Sequence, residues 1–178
     1  CFWINPLGYH FSQMRVSDLC LMNQNGELVY GKERTGDAAQ SIHSNIYKSR
    51  PDINAVAHAH PMYGKTFSTL NKELKPITQD SCAFYKRTAT FTDYDGVANG
   101  PDEGINIAKA LADKDFLILQ NHGILTTGTM VETTLWYFLN MEEACKSQLL
   151  AEAVGEPIVI PDEVAIHTRD YVKTQPEA

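Results

Sequence analysis

The chain has 178 residues, 43% of them hydrophobic, and its 15 Lys plus Arg against 22 Asp plus Glu leave a formal net charge of −7. That length suits one domain with a sizeable core, and an acidic balance without a basic run argues against an electrostatic binder of nucleic acid or acidic lipid. No apolar stretch reaches the ~18 residues of a membrane span. Cys1, Cys20, Cys82 and Cys145 lie far apart with no C-x-x-C pair, which reads as reduced thiols of a cytoplasmic protein rather than a disulfide framework. The first residue is Cys, and Phe2-Trp3-Ile4 is already strand-like, so the expectation is a single domain over 1–178 that lacks an N-terminal segment.

Taken in chain order, residues 3–11 are aromatic-rich and broken by the turn signature Asn5-Pro6-Leu7-Gly8. Stretches 19–22 and 27–31 flank Asn25-Gly26, a strong hairpin signal. Residues 38–48 read as a helix with Ala39, Ile42, Ile46 and Tyr47 at helical spacing and Asp37 as N-cap. Arg50-Pro51 ends it, because a residue before proline avoids helical angles. A buried strand is expected over 53–61, a short helix over 63–70, and mixed strand and loop over 81–92. An amphipathic helix over 102–112 would turn Ile105, Ala108, Leu111 and Ala112 to one side. A second apolar strand covers 116–120, and a long helix over 129–154 would bury Leu135, Phe138, Leu139, Ala144, Leu149 and Leu150. The tail from 155 shows little periodicity. Strands alternating with helices make the fold class α/β or α+β.

The chemistry concentrates in histidines. His58 and His60 stand at i and i+2 on an expected strand, on one face and roughly 6.6 Å apart. His122 follows the other apolar strand, in Asn121-His122-Gly123. Taken singly, each histidine reads equally as a core residue hydrogen-bonded to backbone; two strand-end sites together favour a shared divalent metal. Neutral imidazoles suit zinc first, with iron, cobalt or manganese after it. His43 lies mid-helix and packs, while His10 and His167 fall in loop or tail.

The run Ser49-Arg50-Pro51-Asp52-Ile53-Asn54-Ala55-Val56-Ala57-His58-Ala59-His60, together with Leu117-Ile118-Leu119-Gln120-Asn121-His122-Gly123, resembles the two metal-binding stretches of the class II aldolase/adducin family. Asp18-Leu19, Asn25-Gly26 and Gly31 resemble that family's hairpin ahead of its catalytic helix. The resemblance implies a three-layer α/β/α sandwich around a mostly antiparallel central sheet. It also implies a metal held by His58, His60 and His122, a small-molecule substrate, and a homo-oligomer, with a tetramer expected and the site near a subunit boundary.

Departures from the family pattern bear on the reaction. The position of the sugar-phosphate aldolases' acid/base glutamate is Ala39 here, and the Ser-Ser pair that holds the substrate phosphate falls on Asp37-Ala38. A carboxylate repels a phosphate. The early turn with a hydroxyl and Gly in the family reads Asn5-Pro6-Leu7-Gly8, and the upstream glycine-rich piece of the phosphate pocket is expected in the missing segment. Lys32 and Arg34 are the cations that could restore the balance, against their reading as a solvated loop. Family spacing puts Asp80 beside the metal as base or outer carboxylate, with a turn cap as its plain alternative. Tyr171 and Tyr85 are candidate phenolic acids, against ordinary packing; Glu73 reads as solvated. Three functions follow: a metal-dependent lyase acting on a non-phosphorylated carbonyl or hydroxy acid, a non-catalytic assembly module like the adducin head, and a non-haem iron oxygenase acting on an aryl-pyruvate.

Overall fold

The structure, a computed structural model, describes residues 1–31, 35–94, 96 and 101–174. Lys32 and Arg34 lie outside the described residues. The chain forms two compact units, Cys1–Asp52 with Asp95–Lys109, and Ile53–Tyr94 with Ala110–Ala178.

In the first unit, β1 (Phe2–Ile4), β2 (Cys20–Met22) and β3 (Leu28–Tyr30) form an antiparallel sheet in that order. The expected hairpin joins β2 to β3: Gly26 takes φ +88°, and Asn23 Oδ1 accepts from the N–H groups of Asn25 and Glu27 at 2.9 and 3.0 Å. Phe2, Ile4, Cys20 and Met22 are buried, and Ala39 and Tyr47 of α1 (Asp37–Ser49) pack against them. The N-cap of α1 is Gly36, not Asp37; Asp37 is instead the first helical residue, where its charge favours the N-terminal end of the helix dipole. His43 packs, as expected, between Phe2 and Tyr47, with ring centroids 6.4 and 6.2 Å away. Burial pushes its imidazole down to about 4. Helix α3 (Pro101–Leu111) buries Ile107, Ala108 and Leu111 and leaves Ile105 38% exposed, against expectation. At Gly104 the helix comes against α1, where a Cβ would run into Ser41.

In the second unit, β4 (Ala55–Ala59), β5 (Thr88–Phe91), β6 (Phe116–Leu119) and β7 (Gly123–Gly128) form a mixed sheet in the order β4-β7-β6-β5. Pairs β4/β7 and β6/β7 are antiparallel and β5/β6 is parallel. Strands β4, β5 and β6 therefore run the same way and end at one sheet edge. Helix α2 (Met62–Ser68) and helix α4 (Val131–Val154) pack on each other and on β7. Their shared core holds Phe67, Phe84, Phe116, Ile118, Ile124, Tyr137 and Met141. The fold is thus α/β, with helices packed on a mixed sheet.

The expected face of α4 is corrected. Leu135, Leu139 and Leu150 are each more than half exposed, while Thr134, Tyr137, Met141, Ala144, Cys145 and Gln148 are buried. Apolar residues circle this helix, and the polar pair on its inner face is fully engaged. Gln148 accepts from Lys75 N and donates to Glu73 O and Glu152 Oε1 at 2.8, 3.0 and 3.1 Å; Thr134 Oγ1 donates to Met130 O at 2.7 Å. Buried polar groups so satisfied carry little penalty, which hydropathy alone does not register. A helix α5 (Asp162–Lys173) stands where an irregular tail was expected, and it contains His167. It buries only Ala165 and is tied down by Asp162, which accepts from Tyr85 Oη at 2.5 Å and pairs with Lys86 at 2.8 Å. All four cysteines are free thiols; burial pushes Cys145 up to about 12, out of reach of thiolate chemistry. Among the described residues, no helix is long and apolar enough to cross a membrane.

Candidate metal centre

The site forms at the edge where β4, β5 and β6 end. Alternation on β4 turns His58 toward it, and His60 follows one residue beyond the strand. His122 arrives from the turn between β6 and β7, closed by its N–H on the Leu119 carbonyl at 3.0 Å. Asn121 takes φ +57°, a left-handed conformation that asparagine tolerates better than most residues. Gly123 is required by proximity, since a Cβ there would sit 2.5 Å from the Ala59 carbonyl oxygen and 3.2 Å from His60 Cδ2. The motif Asn-His-Gly thus supplies the turn, the imidazole and the space for the facing strand.

The three rings stand together. Centroids are 5.2 Å apart for His58–His60, 4.8 Å for His58–His122 and 4.5 Å for His60–His122. One ring nitrogen from each lies within 4.8 Å of the others. Bonds of ~2.0–2.1 Å to a common ion bring such nitrogens to roughly 3.3–3.5 Å, within reach of small ring rotations. The donor chemistry fits as well. His58 Nδ1 lies 3.0 Å from the Ile124 carbonyl oxygen; a carbonyl only accepts, so Nδ1 carries the proton and Nε2 presents its lone pair. Partial desolvation lowers the pKa of His60, with the Lys65 charge adding to it. Burial likewise lowers that of His122, with His60 adding to it. Both shifts favour the neutral imidazole that a metal requires. Among the described residues, no Cys, Asp or Glu joins this cluster.

The other expected site residues stand on other elements of the unit. Asp80 is exposed and opens the 3-10 turn Asp80–Phe84, which packs against α4 and α5. Tyr171 is 63% exposed on α5, and Tyr85 is engaged by Asp162. Sequence reasoning missed Tyr94, whose ring centroid is 6.2 Å from that of His122. The parallel register pairs Phe91 with Leu119, so Tyr94 and His122 each stand three residues past paired strand ends. Knowing that β5 pairs with β6 would have found it.

A family model described as Class II Aldolase and Adducin N-terminal domain matches residues 1–149. Decarboxylase NovR of Streptomyces niveus is 39% identical over 165 residues, 92% of this chain and 61% of that protein. The 4-hydroxy-3-prenylphenylpyruvate oxygenase/4-hydroxy-3-prenylbenzoate synthase of Streptomyces roseochromogenus subsp. oscitans is also 39% identical over 165 residues, 92% of this chain and 60% of its own length. The chain therefore spans about three-fifths of these curated relatives. Among solved structures, an L-fuculose 1-phosphate aldolase from Glaciozyma antarctica PI12 superposes with a TM-score of 0.85 at 43% identity, covering 95% of this chain and 66% of that one.

Proposed function

We propose, from the premise that this chain belongs to the class II aldolase/adducin family, that it is a metal-dependent lyase acting on a non-phosphorylated carbonyl or hydroxy acid. The observation that carries this reading is the convergence of His58, His60 and His122. A divalent ion held there would supply Lewis acidity toward a carbonyl oxygen. The chain's own contribution is to favour the neutral imidazoles of His60 and His122, to fix the His58 tautomer through the Ile124 carbonyl, and to leave one side of the cluster accessible, since His60 is exposed. Asp80 and Tyr171 are the groups we assign for proton transfer, to be tested as Asp80→Asn and Tyr171→Phe against turnover.

The substrate class rests on the chain's departures. Ala39 has no proton to move, and Asp37, exposed at the start of α1, offers a phosphate repulsion in place of a hydroxyl. The names of the two Streptomyces relatives, a decarboxylase and an oxygenase of a phenylpyruvate, point the same way. Protein purified without chelator should carry close to one ion per chain, and His60→Ala should lose it; less than about a tenth of an ion per chain would end the enzyme reading. Calorimetry should find no micromolar binding of a simple sugar phosphate to metal-loaded protein. Such binding, absent for the unphosphorylated compound, would return the chain to the sugar-phosphate aldolases.

The name of the second relative supports one further reading, oxidative decarboxylation of an aryl-pyruvate; oxygen uptake by an iron-loaded sample given 4-hydroxyphenylpyruvate would establish it over the lyase. We also propose a homo-oligomer, because Leu135, Leu139, Leu150 and Val154 leave apolar surface along α4. Light scattering that gave a strict monomer for the full-length protein would count against it.

A further inference from the structure

We infer that Glu142 is a positioning residue for the His60 ligand, an inference that rests on the metal reading of the triad. Helix α2 begins immediately after His60-Pro61, and its N-cap, Pro61, makes no side-chain cap hydrogen bond. The first N–H groups of a helix need acceptors, which Ser, Thr, Asp or Asn at the N-cap ordinarily provides. Here the chain positions entering α2 are occupied by the imidazole and by proline. The acceptor comes instead from α4: Glu142 Oε1 accepts from Tyr63 N at 2.8 Å, and Oε2 accepts from Gly64 N at 2.5 Å. Both carboxylate oxygens are thereby committed to the second and third residues of α2, three and four positions past His60.

The anchor is stiff at its other end. Met141, Ala144 and Cys145, around Glu142 on α4, are buried in the core. Gly64 permits the approach, since a Cβ there would lie 3.1 Å from Glu142 Oε2 and 3.0 Å from Ile124 Cγ2. Ile124 is also the residue whose carbonyl accepts the hydrogen bond from His58 Nδ1. One packed contact between α2, α4 and β7 therefore serves two ligands, orienting His58 through a carbonyl and His60 through the first turn of α2. Lys146, one turn further along α4, pairs with Glu143 at 3.3 Å and lies over the Tyr63 ring at 5.3 Å. The Glu142 carboxylate serves the helix end.

The test compares the unaltered protein with Glu142→Gln, Glu142→Ala and, as control, Glu143→Gln. Amide exchange by NMR should show Tyr63 and Gly64 losing protection in both Glu142 variants. Zinc competition against a chromophoric chelator should then show at least a tenfold weaker affinity for Glu142→Ala and an intermediate loss for Glu142→Gln, which keeps one acceptor. The visible spectrum of the cobalt-loaded Glu142 variants should shift, while Glu143→Gln matches the unaltered protein. Should Glu142→Ala not fold, Glu142→Gln decides. Lost amide protection with unchanged zinc affinity and an unchanged cobalt spectrum would overturn the inference and leave Glu142 a structural cap. If the unaltered protein takes up neither metal, the reading of the triad fails on its own account. The His60 ring-proton shifts of the metal-free proteins then decide, and their identity in all variants would overturn the positioning role.

Discussion

A methyl group at position 123 has nowhere to go: its carbon would lie 2.5 Å from the Ala59 carbonyl oxygen, a backbone atom that moves only if β4 moves. Gly123→Ala is therefore expected to lower stability by about 1–3 kcal/mol, as overpacking does, and to weaken zinc binding by displacing His60. Urea unfolding and chelator competition on the same sample check both. His43 offers a second single-residue test. Its neutral form is favoured in the fold, with a pKa of about 4 against an ordinary 6.5, because burial between Phe2 and Tyr47 disfavours the cation. The unfolded chain therefore binds the proton first. Stability is unaffected by this group above pH 6.5, falls as pH drops from 6.5 to 4, and levels below that. At ~1.4 kcal/mol per unit the loss is at most about 3 kcal/mol. His43→Phe should flatten that part of the pH–stability profile; an unchanged slope would show that His43 is solvated.

Arg87 joins the approach to β5 with the start of β6. Its Nε donates to Asp115 Oδ2 at 2.7 Å and Nη1 to the Ala83 carbonyl at 3.1 Å, while the guanidinium lies 4.7 and 5.0 Å from the ring centroids of Phe116 and Tyr137. The side chain is 12% exposed and that of Asp115 is 29% exposed. Breaking a buried pair costs about 3–5 kcal/mol, and the partial exposure of Asp115 brings the expectation for Arg87→Leu nearer about 2–3 kcal/mol. Because the parallel β5/β6 pairing sets Tyr94 against His122, that ring contact should loosen too, read as increased solvent accessibility of Tyr94. Helix α5 is the opposite case, an element held largely by its rim. Asp162 receives both Tyr85 and Lys86 there, and these bonds, with the neighbouring charges, hold its carboxyl below the usual range.

For the molecule as a whole, an ion held by residues from β4 and from the β6–β7 turn would link folding to metal supply. A ligand that binds only the native state at 100 times its dissociation constant stabilises it by about 2.7 kcal/mol. Chelator should accordingly lower the melting temperature by several degrees, and zinc should restore it. His122→Ala should melt at one temperature with or without zinc. A zinc-dependent shift that survives in that variant would place the ion elsewhere.

The parts legible from the chain were those specified by neighbours in sequence. Asn25-Gly26 carries its own turn conformation, Arg50-Pro51 ends a helix by local sterics, and His58-Ala59-His60 shares a face by the period of a strand. The histidine cluster was visible because both motifs sit at the ends of apolar runs, while the family came from the resemblance of those motifs. The inner face of α4 was not legible, since apolar residues surround that helix, Thr134 is satisfied by the carbonyl one turn back, and Gln148 faces inward to distant backbone groups at Glu73 and Lys75. Tyr94 depended on which strand lies beside β6, and Glu142 on a helix end almost eighty residues earlier in the chain. Strand partners and long-range hydrogen bonds join groups that no local periodicity relates, so folding alone assigned those roles.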